Sequence, residues 1–239
     1  MRKYYALVLA VMMCVVMCSC AFGEVPIDEA HFPDEVFREY VRSKFDTNGD
    51  DVLSDEEIRK ATEIDVGYEG ISSLRGIEYF TALEELSCWG NDLTELDVSK
   101  NTALTYLYCD GTQLTELDVS NNPALEYLSC GANRLTELNV SHNPVLKTLR
   151  CYSNQLTSLD VSHNPVLEAL DCGNNRLTEL DMSNNPALTT LSCKDNRLTE
   201  LDVSKNTALT YLDCGSNWLT ELDVSNKPAL TTLSCGVTG

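Results

Sequence analysis

The apolar positions of this chain recur with a fixed period of 21 residues. Seven consecutive units fill residues 93–239, beginning with LTELDVSKNTALTYLYCDGTQ and keeping nearly the same letters each time. A less regular unit, ISSLRGIEYFTALEELSCWGND, precedes them, and EIDVGYEGI before that keeps the same apolar spacing. Short units of fixed period stack on one another, because each cannot bury its apolar face alone. The pattern therefore predicts a solenoid.

Each unit contains two short runs in which apolar and polar residues alternate. In TYLYCD, Leu107 and Cys109 are expected to face the core, because strand side chains point alternately to the two sides. In TELDVS, Leu96 and Val98 are expected to do the same, with extended or 3₁₀-like segments between the runs. At about 4.8 Å per strand, the first run predicts a stack about 38 Å long of nine parallel strands, centred on Ile64, Leu86, Leu107, Leu128, Leu149, Leu170, Leu191, Leu212 and Leu233.

The unit pattern LxxLxCxxNxL is similar to the leucine-rich repeat, with cysteine replacing its third leucine. Residues 61–239 resemble the cysteine-ladder leucine-rich repeats of internalin-like bacterial surface proteins. The expected fold is a parallel β solenoid of leucine-rich repeats over residues 63–239, with about nine coils of 21 residues and few or no long helices. The resemblance implies recognition outside the cell, and it names no ligand.

The repeated cysteine is predicted to stay unpaired. In-register parallel neighbours hold their Cβ atoms about 4.8 Å apart with parallel vectors, whereas a disulfide needs Cβ atoms about 3.5–4.5 Å apart and converging. One cysteine per strand also gives no tetrahedral metal cluster. We therefore expect eight free thiols that fill the core as small apolar groups, at Cys88, Cys109, Cys130, Cys151, Cys172, Cys193, Cys214 and Cys235.

Asparagine forms two further columns. Buried turns leave backbone amides and carbonyls unpaired, and asparagine side chains can hydrogen-bond to them. We predict this structural role for both columns, the first interrupted by Thr112 and Thr238. Their members are Asn91, Asn133, Asn154, Asn175, Asn196 and Asn217, and Asn101, Asn122, Asn143, Asn164, Asn185 and Asn206.

Residues 24–62 are expected to form a small helical cap on the first coil, since solenoid ends otherwise expose core and strand edges. Val36, Phe37, Tyr40 and Val41 have helical spacing. Residues 46–57, DTNGDDVLSDEE, resemble an EF-hand calcium loop, which implies one calcium ion held by Asp46, Asn48, Asp50, the Val52 carbonyl, Ser54 and Glu57.

One departure weakens the resemblance to an EF-hand. The sixth position, usually glycine, is Asp51, which adopts the required positive φ at a cost of about 1 kcal/mol. The alternative is a capped helical hairpin without metal, because Ser54 and Glu57 also fit a capping box.

Residues 1–23 read as an export signal. Arg2 and Lys3 precede an apolar run that is too short to span a bilayer and a small-residue stretch. Cleavage after Gly23 gives a secreted or surface product, and lipid attachment to Cys20 is the alternative. No transmembrane segment is expected.

The net charge of −20 makes nucleic acid and anionic membranes poor partners. Much of this charge lies in two columns along the second run, which predict a solvated acidic face, with capture of cations or a basic partner as the alternative. These columns are Glu95, Glu116, Glu137, Glu179, Glu200 and Glu221, and Asp97, Asp118, Asp160, Asp181, Asp202 and Asp223.

The outward residues of the first run differ from coil to coil, although the residues around them are copied. Variation on a copied scaffold is where specificity is written, and aromatic residues supply contact area at low entropic cost. We expect a surface that binds a protein, or a glycan as second choice, and the alternative is ordinary exposed strand residues. The predicted ligand residues are Trp89, Tyr106, Tyr108, Asp110, Tyr127, Arg150, Tyr152, Asp171, Lys194, Tyr211 and Asp213.

No nucleophile motif, phosphate loop or zinc signature is present, so no catalytic residue is assigned. Of the three histidines, His142 and His163 occupy the same turn position in adjacent coils and are expected to be exposed loop residues. The function expected is recognition or adhesion at the cell surface. The alternative is a structural spacer within a larger assembly, which self-associates end to end through a carboxyl-terminal repeat that shows no polar cap.

Overall fold

A computed structural model describes residues 23–236 of the chain. The leader segment, Cys20 and Thr238 lie outside the described residues. Before the repeats come strands β1 (Val25–Pro26) and β2 (Val52–Leu53) and helices α1 (Glu35–Phe45) and α2 (Asp55–Lys60), and one 3₁₀ helix spans Ile77–Tyr79.

A parallel sheet of nine short strands runs through the repeats in chain order. Its strands pair in register, with Leu86 opposite Ile64 and Leu107 opposite Leu86, and so on to Leu233. This confirms the nine predicted strand centres. The strands are β3 (Glu63–Asp65), β4 (Glu85–Ser87), β5 (Tyr106–Tyr108), β6 (Tyr127–Ser129), β7 (Thr148–Arg150), β8 (Ala169–Asp171), β9 (Thr190–Ser192), β10 (Tyr211–Asp213) and β11 (Thr232–Ser234).

The core is one continuous file of leucine, valine and cysteine side chains. Seven cysteines, from Cys88 to Cys214, are free and buried, and Cys235 is free and exposed. The predicted unpaired thiols are thus confirmed. Burial raises the pKa of the Cys88 thiol to about 12, because a thiolate is poorly solvated there. The buried thiols are consequently weak nucleophiles near neutral pH.

The second alternating run is not a strand in the described coils, which corrects the sequence prediction. In this run the Asp97 carboxylate accepts a hydrogen bond from the backbone N–H of Ser99 at 2.9 Å, which bends the chain into a turn. Just before this run, one backbone bond joins neighbouring coils, from the Gln113 N–H to the Leu93 carbonyl at 2.8 Å. Val98 is buried as expected, whereas Leu96 is only partly buried.

The first asparagine column joins each coil to the one before it. The Asn133 Oδ1 atom accepts from the Leu114 N–H at 3.0 Å, and its Nδ2 donates to the carbonyls of Cys109 and Cys130 at 2.9 and 3.1 Å. Thr112 fills a gap in this column, and its hydroxyl donates to the Cys109 carbonyl at 3.1 Å. The predicted structural role of these side chains is confirmed.

In the second asparagine column the side-chain Nδ2 atoms form hydrogen bonds and the Oδ1 atoms do not. The Asn122 Nδ2 atom donates to the carbonyls of Val98 and Asn101 at 3.1 and 2.9 Å. Its Oδ1 atom is buried without a protein partner among the described residues, as are those of Asn101, Asn143, Asn164, Asn185 and Asn206.

The cap packs on the first coils through aromatic rings and one shared carboxylate. The rings of Phe45 and Phe80 lie 5.2 Å apart. One oxygen of Asp34 caps helix α1 by accepting from the Phe37 N–H at 3.1 Å, and the other accepts from the Ser72 N–H at 2.8 Å. Val36, expected on the buried face of helix α1, is 42% exposed.

We predict that a form beginning at Glu24 has one reactive thiol when native and eight when unfolded. Cys235 is exposed and the other seven described thiols are buried, so reagent reaches them only after the coils open. Titration with an aromatic disulfide reagent, with and without guanidinium chloride, measures both counts. A count below eight after unfolding under non-reducing conditions contradicts the unpaired ladder.

Candidate functional site

The parallel register gathers the variable side chains onto one surface. Three columns lie side by side on it, before the strand leucine, after it and after the cysteine, as Tyr106, Tyr108 and Asp110 do in one coil. We call this surface the recognition face. It contains all of the predicted ligand residues, namely Trp89, Tyr106, Tyr108, Asp110, Tyr127, Arg150, Tyr152, Asp171, Lys194, Tyr211 and Asp213.

Three tyrosines on strands β5 and β6 form a cluster within this face. The Tyr127 ring lies 4.8 Å from that of Tyr108 and 6.2 Å from that of Tyr106. The Arg150 guanidinium lies over the Tyr127 ring, 5.7 Å from its centroid, within reach of a cation–π attraction. These contacts fix the rings, which lowers the entropy lost when a partner binds them.

Large side chains of the third column lie over glycines of the neighbouring coils. A Cβ atom added at Gly67 would stand 2.4 Å from Trp89 Nε1, and one added at Gly131 would stand 2.4 Å from Tyr152 Cε1. Both rings therefore lie close against backbone that only glycine leaves free. The alternation of glycine with larger residues in this column is a signal that the sequence itself contains.

The residue after this column has a left-handed backbone in the coils from Tyr68 to Ser216, with φ from 52° to 69°. Only two of these eight positions, Gly90 and Gly111, are glycine. This repeated turn leads the chain from the sheet to the first asparagine column. The sequence does not predict its left-handed geometry, because the residues at this position differ from coil to coil.

Several acidic residues of the recognition face accept hydrogen bonds from backbone N–H groups. The Asp110 carboxylate accepts from the Ser129 hydroxyl at 2.8 Å and from the Gly131 N–H at 3.0 Å. Burial, together with the charge of Asp110, raises the pKa of Tyr152. Asp171 and Asp213 each accept from the N–H of the glycine two residues on, at 3.2 Å.

The predicted residues do not all form one patch. Tyr211 is on strand β10, four strands from Tyr127, which is about 19 Å along the stack. At the other end, the register adds Glu63, Asp65 and Glu85 to the face, and Tyr68 packs beside it on the Trp89 ring. Glu63 and Glu85 occupy the column position of Tyr106, so extending the register to the irregular first coils would have found them.

The acidic columns border a separate groove of about 1280 Å³. Leu117 and Leu138 lie at its floor and Glu116 and Glu137 at its rim. The aspartates beside them have a local role, because each accepts from the serine two residues on, and these hydrogen bonds lower the pKa of Asp97 and its equivalents. The aspartate column is therefore part of the turn, whereas the glutamate column faces solvent.

Residues 46–57, the segment that resembles an EF-hand loop in sequence, begin with a tight turn. The Asp46 carboxylate accepts from the N–H groups of Gly49, Asp50 and Asp51, at 2.7, 3.2 and 2.9 Å, and so curls the chain. Asp51 has φ of 59°, the left-handed conformation expected at the sixth position. The Arg42 Nε atom donates to the Asp51 carboxylate at 2.6 Å.

Glu57, at the twelfth position, is engaged by protein donors. Its Oε1 accepts from the N–H and hydroxyl of Thr47, both at 2.7 Å, and its Oε2 from those of Ser54 at 2.9 and 2.8 Å. Burial raises the pKa of Glu57, but these bonds outweigh it and lower the pKa to about 2. The capping box with Ser54 is present as predicted.

Within residues 23–236, no three histidine, cysteine or acidic side chains are grouped so as to hold a metal ion. His142 and His163 lie exposed, as predicted for loop residues. No helix in the same span is long and apolar enough to cross a bilayer.

Comparison with known proteins identifies a likeness along the whole solenoid. Over 71 residues the chain is 44% identical to Internalin J of Listeria monocytogenes, an overlap of 30% of this chain and 8% of that protein. The solved functional domain of InlJ from Listeria monocytogenes, which includes a cysteine ladder, matches with a TM-score of 0.58 at 39% identity, over 90% of this chain and 57% of that one. The repeats resemble those of internalin-like proteins with a cysteine ladder.

Two further solved structures show how widely this fold occurs. The leucine-rich effector YopM of Yersinia pestis matches with a TM-score of 0.64 at 30% identity, over 83% of this chain and 53% of that one. Internalin C2 of Listeria monocytogenes has a TM-score of 0.76 at 23% identity, over 91% and 98%, which shows the fold alone. No protein-family model matches the chain. The leucine-rich-repeat solenoid is thus the fold of this internalin-like chain.

We predict that Glu57→Gln lowers the free energy of unfolding at pH 7 by about 1–3 kcal/mol, because a buried carboxylate that accepts four hydrogen bonds is lost. The pKa of Glu57 is depressed in the folded state, so its stabilisation is complete above the unfolded value of about 4.3 and is lost as the pH falls toward 2. Thermal unfolding by circular dichroism from pH 7 to pH 2 measures both effects.

The matched control is Glu56→Gln, which removes the same charge from an exposed side chain that forms a surface ion pair with Lys60. In this control the thermal midpoint should depend on pH nearly as it does in the parent, because exposed ion pairs contribute little to stability. If the thermal midpoint of Glu57→Gln fell with pH as steeply as that of the parent, Glu57 would not be the group that stabilises the cap.

Proposed function

We propose that this internalin-like chain is an exported bacterial protein that binds a protein ligand through the recognition face. The observation that carries the proposal is the cluster of Tyr106, Tyr108 and Tyr127, whose rings pack together on an otherwise copied scaffold. Tyrosine clusters supply rigid contact area that is apolar in the ring and polar at the hydroxyl. Binding there serves recognition or adhesion at the surface of the cell.

The surroundings of the cluster favour a protein over a sugar. Charged side chains flank the rings, with Arg150 on the strand after Tyr127 and Glu85 on the strand before Tyr106. Aromatic anchors within a charged rim are typical of protein interfaces. A glycan that stacks on exposed rings, such as Trp89 at 42% exposure, is the second candidate ligand.

Calcium binding by the loop is a second, smaller proposal. The left-handed Asp51 and the curled backbone around Asp46 support it. The ion would be held by Asp46, Asn48, Asp50, the Val52 carbonyl, Ser54 and Glu57, and it would add positive charge to an acidic loop. In the described loop the carboxylates of Asp46, Asp50 and Glu57 are not grouped around one point, and the hydrogen bonds from Thr47 and Ser54 occupy both oxygens of Glu57. Calcium would have to rearrange the loop and displace these bonds, which favours a weak Kd of about 10⁻⁴ to 10⁻³ M.

We predict that replacing Tyr106, Tyr108 and Tyr127 together by alanine weakens ligand binding at least 30-fold, which corresponds to about 2 kcal/mol for a central aromatic cluster. The form beginning at Glu24 is used to capture ligand from surface extracts of neighbouring or host cells, and affinity is then measured with the purified ligand. The triple variant should fold, because its three side chains are on the outer side of the sheet.

The matched control replaces three exposed threonines in neighbouring coils, Thr115, Thr136 and Thr157, by alanine. It should bind like the parent. Unchanged binding by the tyrosine variant would remove the recognition face from the proposal, and loss of binding to oligosaccharide alone would identify a glycan ligand.

We predict that calcium raises the thermal midpoint of the parent and gives measurable heat at millimolar concentration, because a ligand bound only by the folded loop stabilises it. Asp46→Asn should abolish both effects, whereas Asp55→Asn removes the same charge outside the six ligand positions and should retain them. Isothermal calorimetry without heat up to 10 mM calcium, a concentration roughly tenfold above the weakest expected Kd, would remove this proposal.

A further inference from the structure

A pocket of about 220 Å³ opens at the amino-terminal end of the recognition face. The carboxylates of Glu63, Asp65 and Glu85 line it, together with the rings of Trp89 and Tyr108. The three carboxylates come from strands β3 and β4, so the in-register sheet is what brings them to one opening. None of the three is among the residues expected to bind a ligand from the sequence.

The pocket is negatively charged and has no cation of its own. None of the ion pairs among the described residues involves Glu63, Asp65 or Glu85. Asp65 accepts hydrogen bonds from neutral donors only, the Ser87 hydroxyl at 2.7 Å and the Gly67 N–H at 3.3 Å. Three uncompensated carboxylates beside aromatic rings attract a positive group.

The aromatic side of the pocket is held in place. The Trp89 and Tyr68 rings meet edge to face, with centroids 4.3 Å apart and planes at 76°. Trp89 lies against Gly67, and Tyr68 lies against Gly90, where an added Cβ would stand 2.7 Å from the ring. The Trp89 side chain is consequently fixed in one conformation before a ligand binds, and this lowers the entropic cost of binding.

The arrangement of the carboxylates and rings favours one kind of cation over the others. The three carboxylates are not grouped closely enough to hold a metal ion, within the part of the chain that the structure describes. A guanidinium is larger, and it carries five N–H donors in a plane that pairs with carboxylates and stacks on aromatic rings. A lysine ammonium is also attracted by the indole face, but it is a compact, strongly hydrated charge that cannot stack on the ring while pairing bidentately with a carboxylate.

We propose that this pocket binds an arginine side chain of the protein ligand. The guanidinium lies against the Trp89 ring and pairs with the carboxylates of Glu63 and Glu85, while the tyrosine cluster covers the adjacent part of the ligand. The inference rests on the proposed function, and it adds that the ligand presents arginine at the end of the face that is nearer the cap.

The test uses the form beginning at Glu24 with Trp218→Phe, which leaves Trp89 as the only tryptophan of that form. N-acetyl-argininamide should quench the Trp89 fluorescence with saturation in the millimolar range. Its neutral isostere N-acetyl-citrullinamide should bind at least tenfold more weakly, and N-acetyl-lysinamide should fall between them. The double variant Glu63→Gln, Glu85→Gln should lose at least tenfold in affinity for the arginine compound.

The matched control Glu116→Gln, Glu137→Gln removes the same charge from the acidic groove and should bind the arginine compound like the parent. Equal binding of the arginine and citrulline compounds, or unchanged binding by Glu63→Gln, Glu85→Gln, overturns the proposal. If Glu63→Gln, Glu85→Gln leaves binding of the protein ligand unchanged while the tyrosine variant weakens it, only the proposal of an arginine pocket is wrong. If neither weakens it, the recognition face itself is wrong.

Discussion

The structure depends on one constraint: each coil must repeat the last in register, because its backbone groups are satisfied by the neighbour. The strands supply part of this pairing, with Leu107 between Leu86 and Leu128. Asparagine amides supply much of the rest, as when Asn133 bonds to the backbone of the preceding coil through Leu114 and Cys109. A buried backbone polar group without a partner is costly, so a shift of register is strongly disfavoured.

The same constraint explains which positions are free to vary. Core leucines, the cysteine and both asparagine columns are each held by both neighbours, and they hardly change along the chain. On the outward side of the sheet fewer side chains bond to the backbone of a neighbouring coil, so tyrosine, arginine and aspartate all occur there. Variation is nevertheless limited there, since Trp89 and Tyr152 need glycine at the equivalent position of the preceding coil.

The cap shows that one carboxylate can serve both local and long-range structure. Asp34 caps helix α1 and also binds the first coil at Ser72, while Glu57 joins the start of helix α2 to the loop at Thr47. A calcium ion and these protein donors would compete for the same oxygens of Glu57. The loop therefore connects the proposed metal chemistry directly to the stability of the cap.

The sequence by itself determined the period, the nine strand centres, the free cysteine column and the role of the asparagines, because each follows from spacing and from which groups a turn leaves unpaired. It also predicted the capping box of Ser54 and Glu57. It did not determine the second run, where the bond from Ser99 to Asp97 makes a turn instead of a strand, or the exposure of Val36. The predicted register of Ile64 and Leu86 already places Glu63 beside Glu85. Only the tertiary structure showed that these carboxylates share one pocket with the Trp89 ring, because the position of that ring is decided by its packing against Tyr68 and Gly67.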